Sequence, residues 1–158
     1  MSGVYLEITR DTASPRLDNA IAALDGDGLQ LMFDHIGEYL VRTTRERGEA
    51  QVSPDGTPFA PLSERYRRYK EKKRPGVPIL RFDFHMQGDQ LSHQVAGDTL
   101  YVGTNAIYGA THQFGRTIEL PDGRTAEIPA RPWLGLSADD EKEVLAIAHD
   151  HLSGMFAD

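Results

Sequence analysis

The fold is decided by residues 91–103, which read LSHQVAGDTLYVG. Apolar and polar residues alternate in LSHQV and again in TLYVG, and Ala96-Gly97-Asp98 separates the two runs. A period of two predicts strands, and a short turn between two such strands predicts an antiparallel hairpin. Residues 117–128 repeat this pattern, with Pro121-Asp122-Gly123 at the tip. We therefore expect a small antiparallel sheet of hairpins built from residues 91–128.

Helical periodicity flanks these hairpins on both sides. Apolar stripes that begin after Ser14-Pro15 and again at Leu29 predict two N-terminal helices, and residues 4–9 alternate like an early strand. Ser137 is the predicted N-cap of a C-terminal helix whose first turn carries acidic residues, which favour the helix dipole. The predicted fold class is α+β, with N-terminal helices and a C-terminal helix packed on the sheet.

Composition indicates one domain over residues 1–158. The chain has 39% hydrophobic residues and no cysteine, so thiolate metal sites, thiol nucleophiles and disulfides are excluded. Charged residues interrupt every apolar run before it reaches the roughly 20 residues of a membrane helix, and we expect no membrane association. The first residues show no basic segment followed by an apolar one, so the sequence predicts no signal peptide.

Charge is segregated along the chain. Residues 1–41 carry 2 basic and 7 acidic side chains, residues 42–81 carry 11 and 5, and residues 82–158 carry 4 and 12. The net charge of −7 argues against general nucleic-acid binding. A basic middle between acidic ends favours a solvated face or a surface that meets an acidic part of another protein.

The basic middle centres on one short helix. Ser63 is its predicted N-cap, the helix runs to about Lys73, and Pro75-Gly76 ends it. The preceding loop, DGTPFAPL, is stiffened by prolines and presents an aromatic side chain that can pin the helix or meet a partner. The candidate protein-interaction residues are Phe59, Arg65, Arg67, Arg68, Lys72 and Lys73.

The sequence contains no recognisable catalytic, metal or cofactor motif, and we expect none of these sites. The six histidines do not fall in a defensible ligand spacing, and consecutive acids such as Asp139-Asp140-Glu141 fan out around a helix instead of converging on one ion. His112 lies in the dense stretch His112-Gln113-Phe114-Gly115, where a structural role within a turn is favoured over a catalytic one.

A second motif, Arg131-Pro132-Trp133, follows the second hairpin and precedes the C-terminal helix. The single tryptophan has the largest apolar surface in the chain, which favours a core anchor, with an interface anchor as the alternative. We expect this motif to join the C-terminal helix to the sheet, with the Arg131 guanidinium bound to backbone carbonyls or a carboxylate.

These segments in their order resemble the phage virion morphogenesis or tail completion family of Mu-like and P2-like phages and prophages. The resemblance covers about residues 17–152. It is carried by SPDGTPFAPL (53–62), YK (69–70), ILR (79–81), LYVGT (100–104), YGATHQFG (108–115) and IPARPWLGLS (128–137). Two departures are Phe59, where the family tends to have tryptophan, and residues 82–91, where relatives tend to read Thr-Gly-x-Leu.

The resemblance implies a non-enzymatic structural protein that completes the tail or neck and supports head–tail joining. The implied partners are tail, neck or connector proteins and further copies of the chain, with a ring as one form. The implied location is the bacterial host cytoplasm during assembly and the virion tail or neck afterwards. Two other functions stay open: a nucleic-acid-binding module that uses the helix at 65–74, and a hydrolase that uses His112.

Overall fold

A computed structural model describes residues 27–83 and 85–154. The strand expected at residues 4–9 and the first expected helix lie outside the described residues. Within them, the helices are α1 (Asp27–Ala50), α2 (Glu64–Lys73), α3 (Gly109–Phe114) and α4 (Ala138–Gly154), and the strands are β1 (Leu91–Ala96), β2 (Thr99–Thr104), β3 (Arg116–Glu119) and β4 (Thr125–Ile128). A π-helical turn, His85–Asp89, which the sequence did not predict, precedes β1.

The α+β class is confirmed, and both expected hairpins are present. Strand β1 pairs antiparallel with β2, from Leu91 opposite Thr104 to Ala96 opposite Thr99. Strand β3 pairs antiparallel with β4. The expectation of one sheet over residues 91–128 is wrong, because the two hairpins form separate two-stranded sheets in the described part of the chain. Helix α3 lies between them in the chain, and Gly115 with φ of 74° turns the backbone before β3 begins.

Helix α1 is the centre of the packing. It contacts β1 and β2, and it also packs against α4. Gly37 permits the close approach of β1, since a Cβ at this position would lie 2.4 Å from Cδ2 of His93. The expected packing of the C-terminal helix directly on the sheet is corrected: in the described residues α4 packs mainly on α1, and α1 packs on the sheet.

The hydrophobic core joins segments that are far apart in the chain. Its buried members are Val41, Phe59, Met86, Leu91, Ala106 and Trp133. Phe59 is only 6% exposed, so its expected role in a surface contact is corrected to a core role. The reason is local: a bridge between Val52 and Pro58, and a hydrogen bond from the Phe59 N–H to the Gln51 carbonyl, fold the loop back onto α1. None of the helices in the described residues is long and apolar enough to span a bilayer.

Candidate functional site

The two sequence motifs meet in one joint. The Gln113 Oε1 accepts hydrogen bonds from the backbone N–H groups of Trp133 at 3.0 Å and Leu134 at 3.1 Å, while its Nε2 donates to the Leu134 carbonyl at 2.9 Å. The Arg131 N–H donates to the His112 carbonyl. Three hydrogen bonds of the Gln113 side chain thus fix the segment around Trp133 to α3, and both the oxygen and the nitrogen of its amide take part.

Trp133 fills the core beneath this joint. The side chain is 3% exposed, and its indole Nε1 donates to the Gly109 carbonyl at 3.0 Å. An indole N–H buried in this way needs an acceptor, and the start of α3 supplies it. The core position of Trp133 is confirmed. Its expected role of fixing the C-terminal helix directly to the sheet is corrected, because Trp133 connects α3, the Phe59 loop and β1 through the core.

Gly115 closes the joint at the end of α3. It has a φ of 74°, and a Cβ at this position would lie 2.8 Å from the Ala130 nitrogen and 3.0 Å from the Ile128 oxygen. Both neighbours are backbone atoms, which cannot rotate away. A glycine is therefore required here both by conformation and by space. Phe114, one residue earlier, is 78% exposed and takes no part in the core, and Pro132 is exposed as well.

Arg131 ties the joint to the proline loop. Its guanidinium is 3% exposed and donates from Nε to the Ala60 carbonyl at 2.6 Å and from Nη2 to the Pro61 carbonyl at 3.0 Å. The expectation that Arg131 binds backbone carbonyls is confirmed. Since Pro61 is only two residues before the N-cap Ser63, these bonds determine where α2 begins.

Helix α2 presents the basic residues that the sequence singled out. Ser63 caps it by accepting a hydrogen bond from the Tyr66 N–H. Its five candidate cations are all exposed: Arg65, Arg67, Arg68, Lys72 and Lys73. Glu64 pairs with Arg67 at 2.8 Å and with Arg68 at 2.9 Å, and these hydrogen bonds lower the pKa of the Glu64 carboxyl.

A few residues hold α2 to the rest of the chain. Lys70 is 5% exposed and donates to the Pro78 carbonyl. The Tyr69 ring stacks on Phe82 with centroids 6.5 Å apart and planes 4° apart. The helix therefore has one buried cation facing inwards and a solvent-exposed basic surface.

Helix α4 is the acidic counterpart of α2. It contains five acidic residues and one lysine, and Asp139, Glu141, Glu143 and Asp150 are exposed. Helix α2 contains six basic and two acidic residues. Within the described residues, α4 packs mainly on α1 and not on α2. Each of the two oppositely charged surfaces is thus available to a separate molecule.

Asp140 differs from its acidic neighbours and was missed by sequence reasoning, which placed it with the dipole-favouring residues. It is 2% exposed and accepts hydrogen bonds from the Tyr39 hydroxyl at 3.1 Å, from Nη1 of Arg47, and from the Ser137 N–H at 2.8 Å. Burial by itself raises the pKa of Asp140, but the Ser137 hydrogen bonds and the Arg47 charge outweigh it and leave the pKa below its ordinary value.

The Asp140 network is what attaches α4 to α1. Arg47 also donates to the Gly135 carbonyl at 2.9 Å, just before the helix begins. The Asp140 N–H in turn donates to the Ser137 hydroxyl at 3.0 Å, so the two residues form a reciprocal cap. The spacing Ser137-x-x-Asp140 is the one sequence signal for this cap, although it does not reveal the pairing with Arg47.

Two further exposed hydrophobic side chains flank α3. Ile107 is 96% exposed and Phe114 is 78% exposed. Ile107 lies two residues before α3 and Phe114 ends it, and single exposed apolar residues of this kind are normal on a protein surface. The sequence assigned Phe114 to a structural motif and did not single out Ile107.

A pocket of about 270 Å³ lies between α2 and α3. It is lined by Leu62, Tyr66, Lys70, Leu80, Phe82, Asp83, Met86, Tyr108, His112 and Arg131. Burial, and then the positive charge of Arg131, lower the pKa of His112 below its ordinary value. His112 is therefore neutral near pH 7, and its buried Nδ1 has no hydrogen-bond partner among the described residues.

Comparison with known proteins identifies the family. The sequence model of the phage virion morphogenesis family matches residues 10–153. The chain belongs to this family. It is 30% identical over 142 residues to tail completion protein S of Escherichia phage P2, covering 87% of this chain and 93% of that protein.

Two Mu-like proteins are also similar. The Mu-like prophage FluMu G protein 2 of Haemophilus influenzae is 30% identical over 120 residues, which cover 72% of this chain and 84% of that protein. The putative capsid assembly protein G of Escherichia phage Mu is 28% identical over 139 residues, covering 77% of this chain and 86% of that protein. No solved structure matches the chain. The family expected from the sequence motifs is confirmed, and membership gives the chain a structural role in phage assembly.

Proposed function

We propose that this chain is a non-enzymatic subunit that completes the phage tail or neck and supports the joining of head and tail. Membership of the phage virion morphogenesis family and the likeness to a tail completion protein support this role. Assembly takes place in the host cytoplasm, and the subunit stays in the tail or neck of the virion. The partners are tail, neck or connector proteins and further copies of this chain.

The observation that carries the proposal is the pair of oppositely charged, exposed helices. In one copy α2 and α4 face solvent without packing on each other, so α2 of one copy can contact α4 of the next. A contact between two different surfaces is heterologous, and it closes into a ring when the rotation between subunits permits. Complementary charge also accelerates encounter and suppresses contacts between like surfaces.

Light scattering coupled to size-exclusion chromatography tests this contact. The variant Arg65→Glu, Lys72→Glu, Lys73→Glu reverses three exposed charges on α2 and leaves the ion pairs of Glu64 with Arg67 and Arg68 intact. We expect wild-type protein to form an oligomer and this variant to have a smaller mass. The control is Arg116→Glu, Arg124→Glu, which reverses two exposed charges outside both α2 and α4.

The basic surface of α2 also suits a second candidate, nucleic-acid binding, since its five exposed cations could neutralise phosphates. That function predicts an affinity for DNA whose logarithm falls linearly with the logarithm of salt concentration, with a slope set by the number of phosphates contacted. Titration of a DNA duplex at several salt concentrations separates the two functions. Salt-dependent DNA binding without a change of oligomeric mass in the α2 variant would favour the second.

A further inference from the structure

The pocket between α2 and α3 contains two buried cations. Lys70 is 5% exposed and Arg131 is 3% exposed, and both line the pocket. Their protein partners are neutral: Lys70 donates to the Pro78 carbonyl, and Arg131 donates to the carbonyls of Ala60, Pro61 and Pro129. Buried charges are normally paired with an opposite charge, because leaving water is costly for an ion.

Both cations have donors left over. An ammonium has three N–H groups and a guanidinium has five. One N–H of Lys70 and three of Arg131 are used by the carbonyls, which leaves two on each side chain without an acceptor among the described residues. Burial, and then the positive charge of Arg131, lower the pKa of Lys70.

Among the described residues, Asp83 is the one carboxylate that lines this pocket. It pairs with Arg74 at 3.2 Å, and its side chain is 49% exposed. Asp83 thus lies at the rim, where a second cation already balances its charge. The remaining walls include the rings of Tyr66, Phe82 and Tyr108.

We propose that this pocket binds one carboxylate, presented by an aspartate or glutamate side chain of a partner protein. A carboxylate can accept hydrogen bonds from a guanidinium and an ammonium at the same time, and such charge-assisted bonds are about twice as strong as neutral ones. The volume of about 270 Å³ suits one side chain better than a whole helix. The assignment of a carboxylate as the ligand rests on the pocket alone. The assignment of a partner protein as the molecule that carries this carboxylate rests on the proposed function, in which the basic surface of α2 beside the pocket attracts acidic protein segments.

The test uses two small probes that differ only in charge. N-acetylglutamate N-methylamide presents the carboxylate as a protein chain does, and N-acetylglutamine N-methylamide is its neutral counterpart. Binding to the full chain is followed by NMR chemical-shift changes and by the midpoint of thermal unfolding, at constant ionic strength with chloride as the balancing salt. We expect the glutamate probe to shift both signals and the glutamine probe to shift neither. Equal responses to the two probes in wild-type protein overturn the proposal.

The variant Lys70→Met removes one cation and retains the apolar stem. We expect it to weaken binding of the glutamate probe about tenfold or more, as for the loss of a hydrogen bond to a charged group. Arg42→Met, which removes an exposed cation from α1, is the control and should bind the probe like wild type. Unchanged affinity in Lys70→Met overturns the assignment of the site.

Inorganic phosphate and the α2 charge variant complete the test. A larger response to phosphate than to the glutamate probe would overturn the choice of a carboxylate. The variant Arg65→Glu, Lys72→Glu, Lys73→Glu keeps Lys70 and Arg131, so the proposal requires it to bind the probe even when it no longer assembles. If wild-type protein binds the probe but is itself monomeric, the assembly contact is refuted and the carboxylate site stands.

Discussion

Arg131 and the cations of α2 show what the same chemical group does in two regions of the molecule. Arg131 is 3% exposed and donates to the carbonyls of the proline loop. Arg67 and Arg68 have side chains 65% and 76% exposed, and within the described residues their ion pairs are with Glu64 of their own helix. A buried guanidinium stabilises the fold through several hydrogen bonds, whereas exposed ion pairs contribute little. The joint should therefore govern stability and α2 should govern assembly.

The largest effect should come from Trp133→Ala in the joint. Truncating a buried tryptophan commonly costs about 3–5 kcal/mol, a large share of the stability of a domain of this size. We expect a strongly lowered midpoint of denaturant unfolding. The midpoint is measured by far-UV circular dichroism, because this signal reports backbone structure and does not require the tryptophan. Tyr101→Ala, an equally drastic truncation at a position 59% exposed, serves as the control. A variant that unfolds like wild type but fails to assemble would make Trp133 an interface anchor.

Asp140→Asn should have the next largest effect, because it leaves Arg47 without its charged partner. Breaking one side of a buried ion pair costs about 3 kcal/mol or more. The folded pKa of Asp140 is lowered, so its contribution is present above the unfolded pKa of about 3.9 and is lost as the pH falls through the folded value. The free energies of unfolding of wild type and Asp140→Asn should thus differ at pH 7 and converge as the pH falls toward 2.

The neighbouring Asp139→Asn is the control for that series. Asp139 has a side chain 89% exposed and pairs only with Lys142 in the described part of the chain, so its loss should leave the unfolding midpoint nearly unchanged. Parallel pH profiles for wild type and Asp140→Asn would contradict the role assigned to the Asp140 carboxylate.

These two positions show how far the sequence could predict the structure. The N-caps Ser63 and Ser137 and the strand alternation are local signals, and the corresponding elements were predicted from them. The burial of Asp140 depends on Arg47 and Tyr39, which are 93 and 101 residues away. Phe59 is buried by a bridge that closes its own loop, and the two hairpins form separate sheets although they follow each other in the chain. No periodicity or cap reports such long-range contacts.

A smaller effect is expected for Gly115→Ala at the end of the joint. A non-glycine residue at a positive φ, together with contact against the Ala130 and Ile128 backbone, should cost about 2 kcal/mol. Gly123→Ala is a matched control, because Gly123 has a φ of 78° but nothing within 4 Å of the added Cβ. If the two variants lose equal stability in denaturant unfolding, the backbone contact at Gly115 contributes nothing.

His112→Gln should change the pH dependence of stability rather than its size near neutrality. Since the folded pKa of His112 lies below the unfolded value of about 6.5, the unfolded chain binds the proton first, and stability falls as the pH drops below that value. The variant should lose this part of the pH dependence, whereas His149→Gln, at a side chain 78% exposed, should retain it. Identical slopes for wild type and His112→Gln would contradict the burial of a neutral imidazole.

The smallest effect on stability is expected on α2. Reversal of Arg65, Lys72 and Lys73 should change the free energy of unfolding by no more than about 0.5 kcal/mol, as for surface substitutions without special contacts. The same variant should lose assembly, which is the opposite outcome from the joint variants. A large loss of stability on charge reversal would show that α2 contributes to the fold and not to a contact surface.

The contact between α2 and α4 is tested most directly by exchanging their charges. The α2 variant Arg65→Glu, Lys72→Glu, Lys73→Glu is combined with Glu141→Lys, Glu143→Lys, Asp150→Lys on α4, and the mass of each set alone and of the combination is measured by light scattering. We predict that either set alone reduces the wild-type oligomer and that the combination restores its mass. A wild-type chain that is monomeric, or a combined variant that remains as small as the single sets, would contradict the account.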